Sequence, residues 1–523
     1  MLFVLAIEEL TRINEELIRK LAERDERIER LEKDLSVLRE AIATLKHSLF
    51  GKKSERLDPD QLHLFDQGEE PALEPEPEAV EVAAHRRAPR GHGRQSFPDH
   101  LPREEIELDL PADERCCPDC GSDLRPIGED VCERGHFVPA QLIVRRYRKK
   151  KYACPQGHCV RCPETPPSLI DRCKYEPSVY AHVVAAKYLD HVPLHRMAGI
   201  FKRHGVHLPK QTIWEMLLRV DELLAVPILK QMHEEMLCED VLHGDETPVP
   251  VRLEDGRGTR TARVWAWTTL GAKKAIFVFT MTKERDGPIR FLGDWSGTVI
   301  ADGASNFNEV VRRNDIKRAG CWAHARRKLK SALDRGARDA VRLLIPVQRL
   351  FRLERAMKRR LERRGDDWSE ETLHELRRRI RSRRSARLIE QIYERVDEIA
   401  LKRGTLPRSE LGKALKYLVN QRDPLTRFLE DPRIPIHNND CERALRHLVT
   451  GRKNWLVFGS PRGGEVASRL YSLMLSCRAV GVDPEAYLVD ALQRISTTPN
   501  SQIASLTPWA WAAMRRDDSP QDR

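Results

Sequence analysis

Apolar residues return at every seventh position along the first part of the chain. Ile7, Asn14, Leu21, Ile28, Leu35, Ile42 and Leu49 form one series; Leu10, Leu17, Arg24, Leu31, Leu38 and Leu45 form a second, offset by three. These are the two core positions of a heptad repeat, so residues 1–50 are predicted to form a coiled coil, with the single Asn setting register and strand number. A lone amphipathic helix lying on its own protein would carry the same stripe, but the length of the repeat makes homo-oligomerisation the expectation. The periodicity then stops. Residues 51–113 read as a linker, because the acidic, proline-rich "EEPALEPEPEAVEV" has little apolar surface to bury. The basic "AHRRAPRGHGRQ" that follows reads as a solvated tail, with a DNA minor groove as the alternative setting.

Helical spacing resumes over residues 166–235. "LHRMAGIFKRHG" has helical periodicity and a glycine stop at Gly205, "VHLPK" is a short turn, and "QTIWEMLLRV" resumes a helix. Two helices and a tight turn suit a helix-turn-helix, in which Lys210, Gln211 and Thr212 form the exposed front of the second helix, facing DNA. Many helix pairs of this shape bind nothing.

From about residue 236 the pattern becomes one of strands. "DVLHGDETPVPV", "RVWAWTTL", "AIFVFTMT" and "GTVIADG" are short runs rich in Val, Ile, Thr and aromatics, with turn signals between them. Pro248 and Pro250 predict that the first strand soon leaves the sheet interior. "CWAHARRKLKSAL" opens a long, Arg-rich helical stretch, "NWLVFGS" reads as a short late strand, and helices close the ordered part before a disordered tail. The expected architecture is multidomain α/β: a catalytic domain over 236–480 interrupted by a helical insertion at about 330–430, then a C-terminal helical segment over 481–523.

Composition narrows the partners. At 523 residues the chain exceeds one ordinary domain. A net charge of +11 and an isoelectric point near 9.1 favour a polyanionic partner. The opening "MLFVLAIEEL" lacks the basic start and apolar length of an export signal, and no apolar run reaches membrane-spanning length, so the cytoplasm is the expected compartment. In that reducing setting, the clustering of several of the twelve cysteines within residues 116–162 points to metal before disulfide. Cys117-Pro-Asp-Cys120-Gly is a turn able to present two thiolates, and Cys154 opens a second turn, "CPQGHC". This is the spacing of a structural zinc ribbon over 114–165, with Cys159 the first choice of fourth ligand, ahead of His158 and Cys162. Cys116 and Cys132 are bystanders. The run Arg145, Arg146, Arg148, Lys149, Lys150 and Lys151 between the turns reads either as a solvated strand face or as a phosphate contact.

Three carboxylates carry the candidate chemistry. Phosphoryl transfer on DNA uses two divalent ions about 3.5–4 Å apart. Magnesium takes hard oxygen ligands, so carboxylates from separate elements must converge. Asp245 lies in the first strand, and its neighbour Glu246 should point to the opposite face. Asp302 ends the run "TVIAD", and Glu442 begins a helix. Each has a plain alternative. Asp302-Gly303 fits a turn, Asp245 a loop acid, and Asn439 with Glu442 a capping box. Arg443, Arg446, Arg452 and Lys453, close to Glu442, would meet phosphates; His324 would touch DNA or pack.

Over nearly its whole length, and in the same order, the chain resembles a bacterial transposase of the insertion sequence 66 family. "LFGKKSERL" resembles the junction after the family's N-terminal zipper; "CPDCGSDLRPIGEDVCE" and "PAQLIVRRYRKKKYAC" resemble its zinc module. "GDETPVPV", "ADGASNF", "GCWAHARRKL", "NNDCERALR" and "GRKNWLVFGS" resemble its catalytic core. The resemblance implies a ribonuclease-H-like fold with an Asp-Asp-Glu triad at Asp245, Asp302 and Glu442, working with Mg2+ (or Mn2+) beside a structural Zn2+. It implies cleavage of the element's DNA ends and their joining to target DNA, with small accessory proteins of the same element as further candidate partners. The alternatives are a related nuclease that does not join, and a non-catalytic zinc-dependent DNA-binding protein from a decayed element. The chain departs from the family pattern at His437, where Asp is usual, at Gly157, where the second zinc turn usually has Cys, and after Gly303, where Tyr is frequent. Elemental analysis of the purified protein is expected to find about one zinc per chain; a folded, zinc-free protein would contradict the ribbon.

Overall fold

In the computed structural model the described residues are 174–517 apart from 254–257, 283–285, 304–306, 308–315, 364–368 and 403–404, together with 142–150, two short strands, and much of a helix between 12 and 42. The chain divides into two units, 54–147 and the remainder, and of the first only 142–147 are described. Cys117, Cys120, Cys154, Cys159, His158, Cys162 and Lys151 lie outside the described residues. The two short strands pair antiparallel, with Ala153 opposite Val160, and so bracket residues 154–159. Along the N-terminal helix the described seam residues, Leu17, Leu21, Ile28, Leu31, Leu35, Leu38 and Ile42, are all exposed in the single chain.

The first helices are α1 (Pro177–Tyr188), α2 (Leu194–Arg203) and α3 (Lys210–Val220). Helix α2 stops as expected: His204 caps it, and Gly205 takes φ 78°, a left-handed conformation that costs glycine little. Helix α3 runs through one π turn, Asp221–Ala225, into α4 (Val226–Met236). That turn presents the buried Asp221 carboxylate, which accepts Arg469 Nε at 2.6 Å and Nη2 at 2.8 Å. A buried carboxylate is tolerable only when paired in this way.

The sheet has five strands: β1 (Val241–Arg252), β2 (Thr259–Thr269), β3 (Ala275–Thr280), β4 (Thr298–Ile300) and β5 (Lys317–Ala319). Their spatial order is β3-β2-β1-β4-β5. The first three form an antiparallel meander, while β4 and β5 join parallel to β1. Between β3 and β4 runs α5 (Asp286–Leu292). As expected from Pro248 and Pro250, β1 leaves the sheet interior, since it has β4 beside it only as far as His243. Strand β1 continues past both, pairing with β2 as far as Arg252 opposite Thr259. The reason is parity. Beyond His243 no described strand residue extends β4 alongside β1, and residues 248, 250 and 252 turn their backbone polar groups to that open edge. There Pro250 O accepts Phe458 N at 3.0 Å and Arg252 N donates to Phe458 O at 2.9 Å. A proline facing an unpaired edge removes no ladder bond.

The insertion is helical: α6 (Trp322–Asp334), α7 (Ala340–Glu362), α8 (Glu370–Ile380), α9 (Ala386–Ala400), α10 (Glu410–Asn420) and α11 (Arg422–Thr426). Its core of Trp322, Leu343, Val347, Ile392 and Leu418 is continuous with Ile300 and Ala319 of the sheet. A π turn between α8 and α9 buries Arg381, which donates to Glu354 Oε1 at 2.8 Å and to the carbonyls of Phe428 at 2.8 Å and Ile434 at 2.9 Å.

Two longer helices return to the sheet, α12 (Asn439–Trp455) and α13 (Pro461–Ala479); α14 (Pro484–Arg494) packs on α1, and a last helix α15 (Pro508–Asp517) follows. The expected late strand is mostly absent, because α12 takes in Trp455. What remains is a single bridge from Phe458 to Val251. The edge of β3 is covered by α13: Ser472 Oγ accepts Phe277 N at 2.8 Å and Ser476 Oγ accepts Ala275 N at 3.1 Å. Side-chain oxygens thus satisfy an edge that would otherwise template another strand.

Candidate active site

Parallel pairing sets the first two acids. His243 lies opposite Ile300, the last residue of β4; Asp245 follows two residues further along β1 and Asp302 two residues past the end of β4. Adjacent strands lie about 4.8 Å apart, close enough for the carboxylates to repel one another. On the face away from Asp245, Gly244 lies under an aromatic layer in which Trp267 stacks on Phe291 at 4.7 Å. A Cβ at Gly244 would stand 2.9 Å from Phe307 Cε1, so only glycine fits against that ring.

The third acid arrives on α12, and buried Asn438 seats that helix. Its Oδ1 pairs with His243 Nδ1 at 2.7 Å, its Nδ2 donates to Gly244 O at 2.9 Å, and its backbone N donates to Cys321 Sγ at 3.2 Å. One residue therefore ties the start of α12 to both β1 and the start of α6. Because Asn438 Nδ2 is the donor to Gly244, His243 must give its Nδ1 proton to Oδ1. Burial holds the His243 pKa below its ordinary value, so the ring is neutral. One turn along, Cys441 donates its thiol to Ala266 O at 3.2 Å. Ala266 is the β2 partner of Asp245, so Glu442 is carried to the same end of the sheet.

Glu442 is not engaged as a helix cap. Asn438 is the capping residue, its own side chain makes no bond to the first turn, and Asn439 N instead donates to His437 Nδ1 at 3.4 Å. The Glu442 carboxylate faces α6, with Oε2 3.2 Å from Arg327 Nη2 and Oε1 3.5 Å from His324 Nδ1. His437 stacks parallel to Phe351 of α7, and burial keeps its pKa low, as an acceptor ring requires.

The Asp245 carboxyl is pushed up to about 8, by burial first and then by the charges of Asp302 and Glu442. Glu246 N donates to its Oδ1 at 2.8 Å, which offsets only part of the rise. The three acids share one electrostatic neighbourhood. Among the described residues, the cluster whose ligand atoms all lie within 4.8 Å of one another is a different one, Cys321, His324 and Glu442.

The basic candidates separate by exposure. Arg443 is exposed with Asp440 3.9 Å away, Lys453 is exposed, and Arg446 is partly buried with its pKa lowered by that burial. Arg452 donates to Pro248 O and so ties α12 to β1. Lys210 and Gln211 are exposed at the front of α3, and Thr212 is partly so. Arg145, Arg146, Arg148, Lys149 and Lys150 are exposed. A cavity of about 520 Å3 in the insertion is lined by Arg352, Arg355, Arg359, Arg360 and Arg363 on one side of α7. Their spacing along the helix signals a single basic face, which sequence reading noted only as Arg-rich.

Residues 172–466 match the Transposase IS66 family. The chain belongs to the IS66 transposase family. Residues 114–157 match the zinc-finger binding domain of transposase IS66, 37–106 match the Transposase C of IS166 homeodomain, and 472–509 match the IS66 C-terminal element. Among relatives, the uncharacterized protein y4jD of Sinorhizobium fredii is 30% identical over 521 residues, covering 93% of this chain and 96% of its own. The uncharacterized protein y4qI of the same organism is 30% identical over 502 residues, covering 90% and 87%. In this IS66-family chain no described helix is long and apolar enough to cross a membrane.

Two outcomes are expected. A carboxyl whose folded pKa exceeds its unfolded value of about 4 stabilises the native state at low pH. That contribution falls away as pH rises to about 8, where the folded group also ionises. Asp245→Asn should therefore flatten the loss of thermal stability between about pH 5 and 8 in cation-free buffer; an unchanged slope would show that Asp245 titrates normally. Asn438→Ala leaves His243 and Gly244 O without partners, at about 1–3 kcal/mol each in chemical denaturation. An unshifted midpoint would mean that α12 is seated by its apolar face alone.

Proposed function

We propose that this IS66-family protein cleaves the ends of a DNA element and joins them to target DNA, with Asp245, Asp302 and Glu442 as the acids that hold its divalent cations. The observation that carries this reading is that Asp245, inside β1 just past its pairing with β4, is acted on by the charges of Asp302, two residues beyond β4, and of Glu442 on α12. Strand order β3-β2-β1-β4-β5, with an antiparallel meander followed by two parallel strands, supports a ribonuclease-H-like core.

The residues suit a hard divalent cation. Burial first, and then the negative charge of Asp302 and Glu442, holds the Asp245 carboxyl up at about 8, and a cation would offset both. Glu442 Oε1 is a buried oxygen without a hydrogen-bond partner. Three carboxylates from two strands and a helix form an all-oxygen donor set, which favours Mg2+ or Mn2+. When bound, such ions supply charge neutralisation at the phosphoryl group and a more acidic nucleophile. The chain's own part is to orient and to bind. The sheet fixes Asp245 and Asp302, Asn438 fixes the approach of Glu442, and the exposed Arg443 and Lys453 offer phosphate contacts along α12. Zinc at Cys117, Cys120, Cys154 and Cys159 would fold the ribbon, and the basic run from Arg145 to Lys151 would offer it phosphate contacts. Copies would pair through the exposed heptad seam.

Asp245→Asn, Asp302→Asn and Glu442→Gln should each lower end cleavage and joining by at least about a hundredfold, a loss of about 3 kcal/mol in transition-state stabilisation. End binding in gel shifts should survive with its salt dependence intact, because the basic surfaces lie elsewhere. Near-normal cleavage by Glu442→Gln would remove that residue from the reaction. Nicked but never joined product from the native protein would favour a nuclease.

A further inference from the structure

We infer that Cys321, His324 and Glu442 form a second cation site, which takes one borderline-soft divalent ion such as Zn2+ and thereby withdraws Glu442 from Asp245 and Asp302. The withdrawal, though not the binding, rests on Glu442 serving the proposed reaction. Cys321 caps the start of α6 and His324 follows three residues later, so both side chains address the same side of that helix. Glu442 meets them from α12. One ligand atom from each lies within 4.8 Å of the other two, and His324 Nδ1 stands 3.5 Å from Glu442 Oε1. Ligands about 2.0–2.3 Å from a tetrahedral zinc stand about 3.3–3.6 Å apart, so the observed edge already has the size that such an ion needs.

Both of those atoms, His324 Nδ1 and Glu442 Oε1, are buried and make no hydrogen bond. A nitrogen and an oxygen facing one another at that distance without bonding are two donors with nothing between them. The other Glu442 oxygen is held by Arg327, so Oε1 is the one turned inward. Asn438 N donates to Cys321 Sγ, a contact that orients the sulfur and would support it as a bound thiolate. Binding would release the thiol proton to solvent. Sulfur and imidazole select zinc or cobalt over magnesium, whereas Asp245 and Asp302 offer oxygen alone. Glu442 is the shared arm, so the two kinds of ion compete for it.

Full-length protein with its zinc ribbon saturated would be titrated with Co2+ while the thiolate-to-cobalt charge-transfer band is followed. One further equivalent with that band is expected. Cys321→Ser should abolish the band, and His324→Gln should weaken binding at least about tenfold. Serine is itself a good helix cap, so the first variant keeps the start of α6, and the second leaves that cap untouched. Equal stoichiometry and band in all three proteins would overturn the site. In magnesium-dependent end cleavage, zinc should inhibit the native protein and inhibit His324→Gln at least about tenfold less strongly, each measured against its own zinc-free rate. Equal inhibition would overturn the withdrawal. Normal cleavage by Glu442→Gln would instead remove the reaction assigned to Glu442, and the cobalt band would still decide whether the cations bind.

Discussion

The site depends on a buried asparagine. Strand pairing alone can bring Asp245 close to Asp302, but Glu442 lies far along the chain and beyond the whole helical insertion. Asn438 closes that distance with three bonds, to His243, Gly244 O and Cys321 Sγ. None of the three reaches water, so each must be made in full or the group left behind costs about 1–3 kcal/mol. That penalty makes the start of α12 specific in position and direction. The neutral state of His243 follows from the same burial and supplies the donor that Asn438 needs.

Charge is arranged around this point in opposite senses. Beside the sheet, Asp245 is buried close to Asp302 and Glu442, and burial first and their charges second push its carboxyl up to about 8. Deeper in the protein the balance is complete. Asp221 has Arg469, and Arg381 has Glu354 and backbone carbonyls. These buried pairs locate helices; they are placed where a hydrophobic contact would leave rotation and sliding undetermined. Around Asp245 the neighbouring charges are of its own sign, a setting that favours a cation arriving from solution. The insertion contributes to both regimes, since it packs its own core on β4 and β5 while α6 presents His324 and Arg327 to Glu442.

Much of this was legible in the sequence, and for stated reasons. Alternating Val, Ile, Thr and aromatic residues mark strands because the side-chain period of two is local, and the runs around residues 240–303 became β1 to β4. The glycine stop at Gly205 and the Arg-rich helices of the insertion were legible on the same ground. Asp245, Asp302 and Glu442 could be singled out as acids at the ends of such elements. Local pattern failed where the answer depended on a distant neighbour. Pro248 and Pro250 signalled that β1 leaves the sheet interior, but not that it runs on to Arg252 beside β2 with its other edge open. Trp455 read as strand, yet α12 carries it. The capping box, the alternative for Asn439 and Glu442, is not formed: His437 takes the Asn439 N–H and the Glu442 carboxylate faces α6.

The sequence by itself therefore determined the type of each element, the family to which the chain belongs and the residues able to do chemistry, because those are written in periodicity and motif. Only the tertiary structure decided which acids share a field, which face of β1 they occupy, and that Cys321 and His324 stand against Glu442. Those outcomes depend on parallel register and on a hydrogen-bond network joining residues nearly two hundred positions apart. Long-range contacts of this kind leave no local spacing to read, because their energy comes from burying polar groups that only the folded chain brings together.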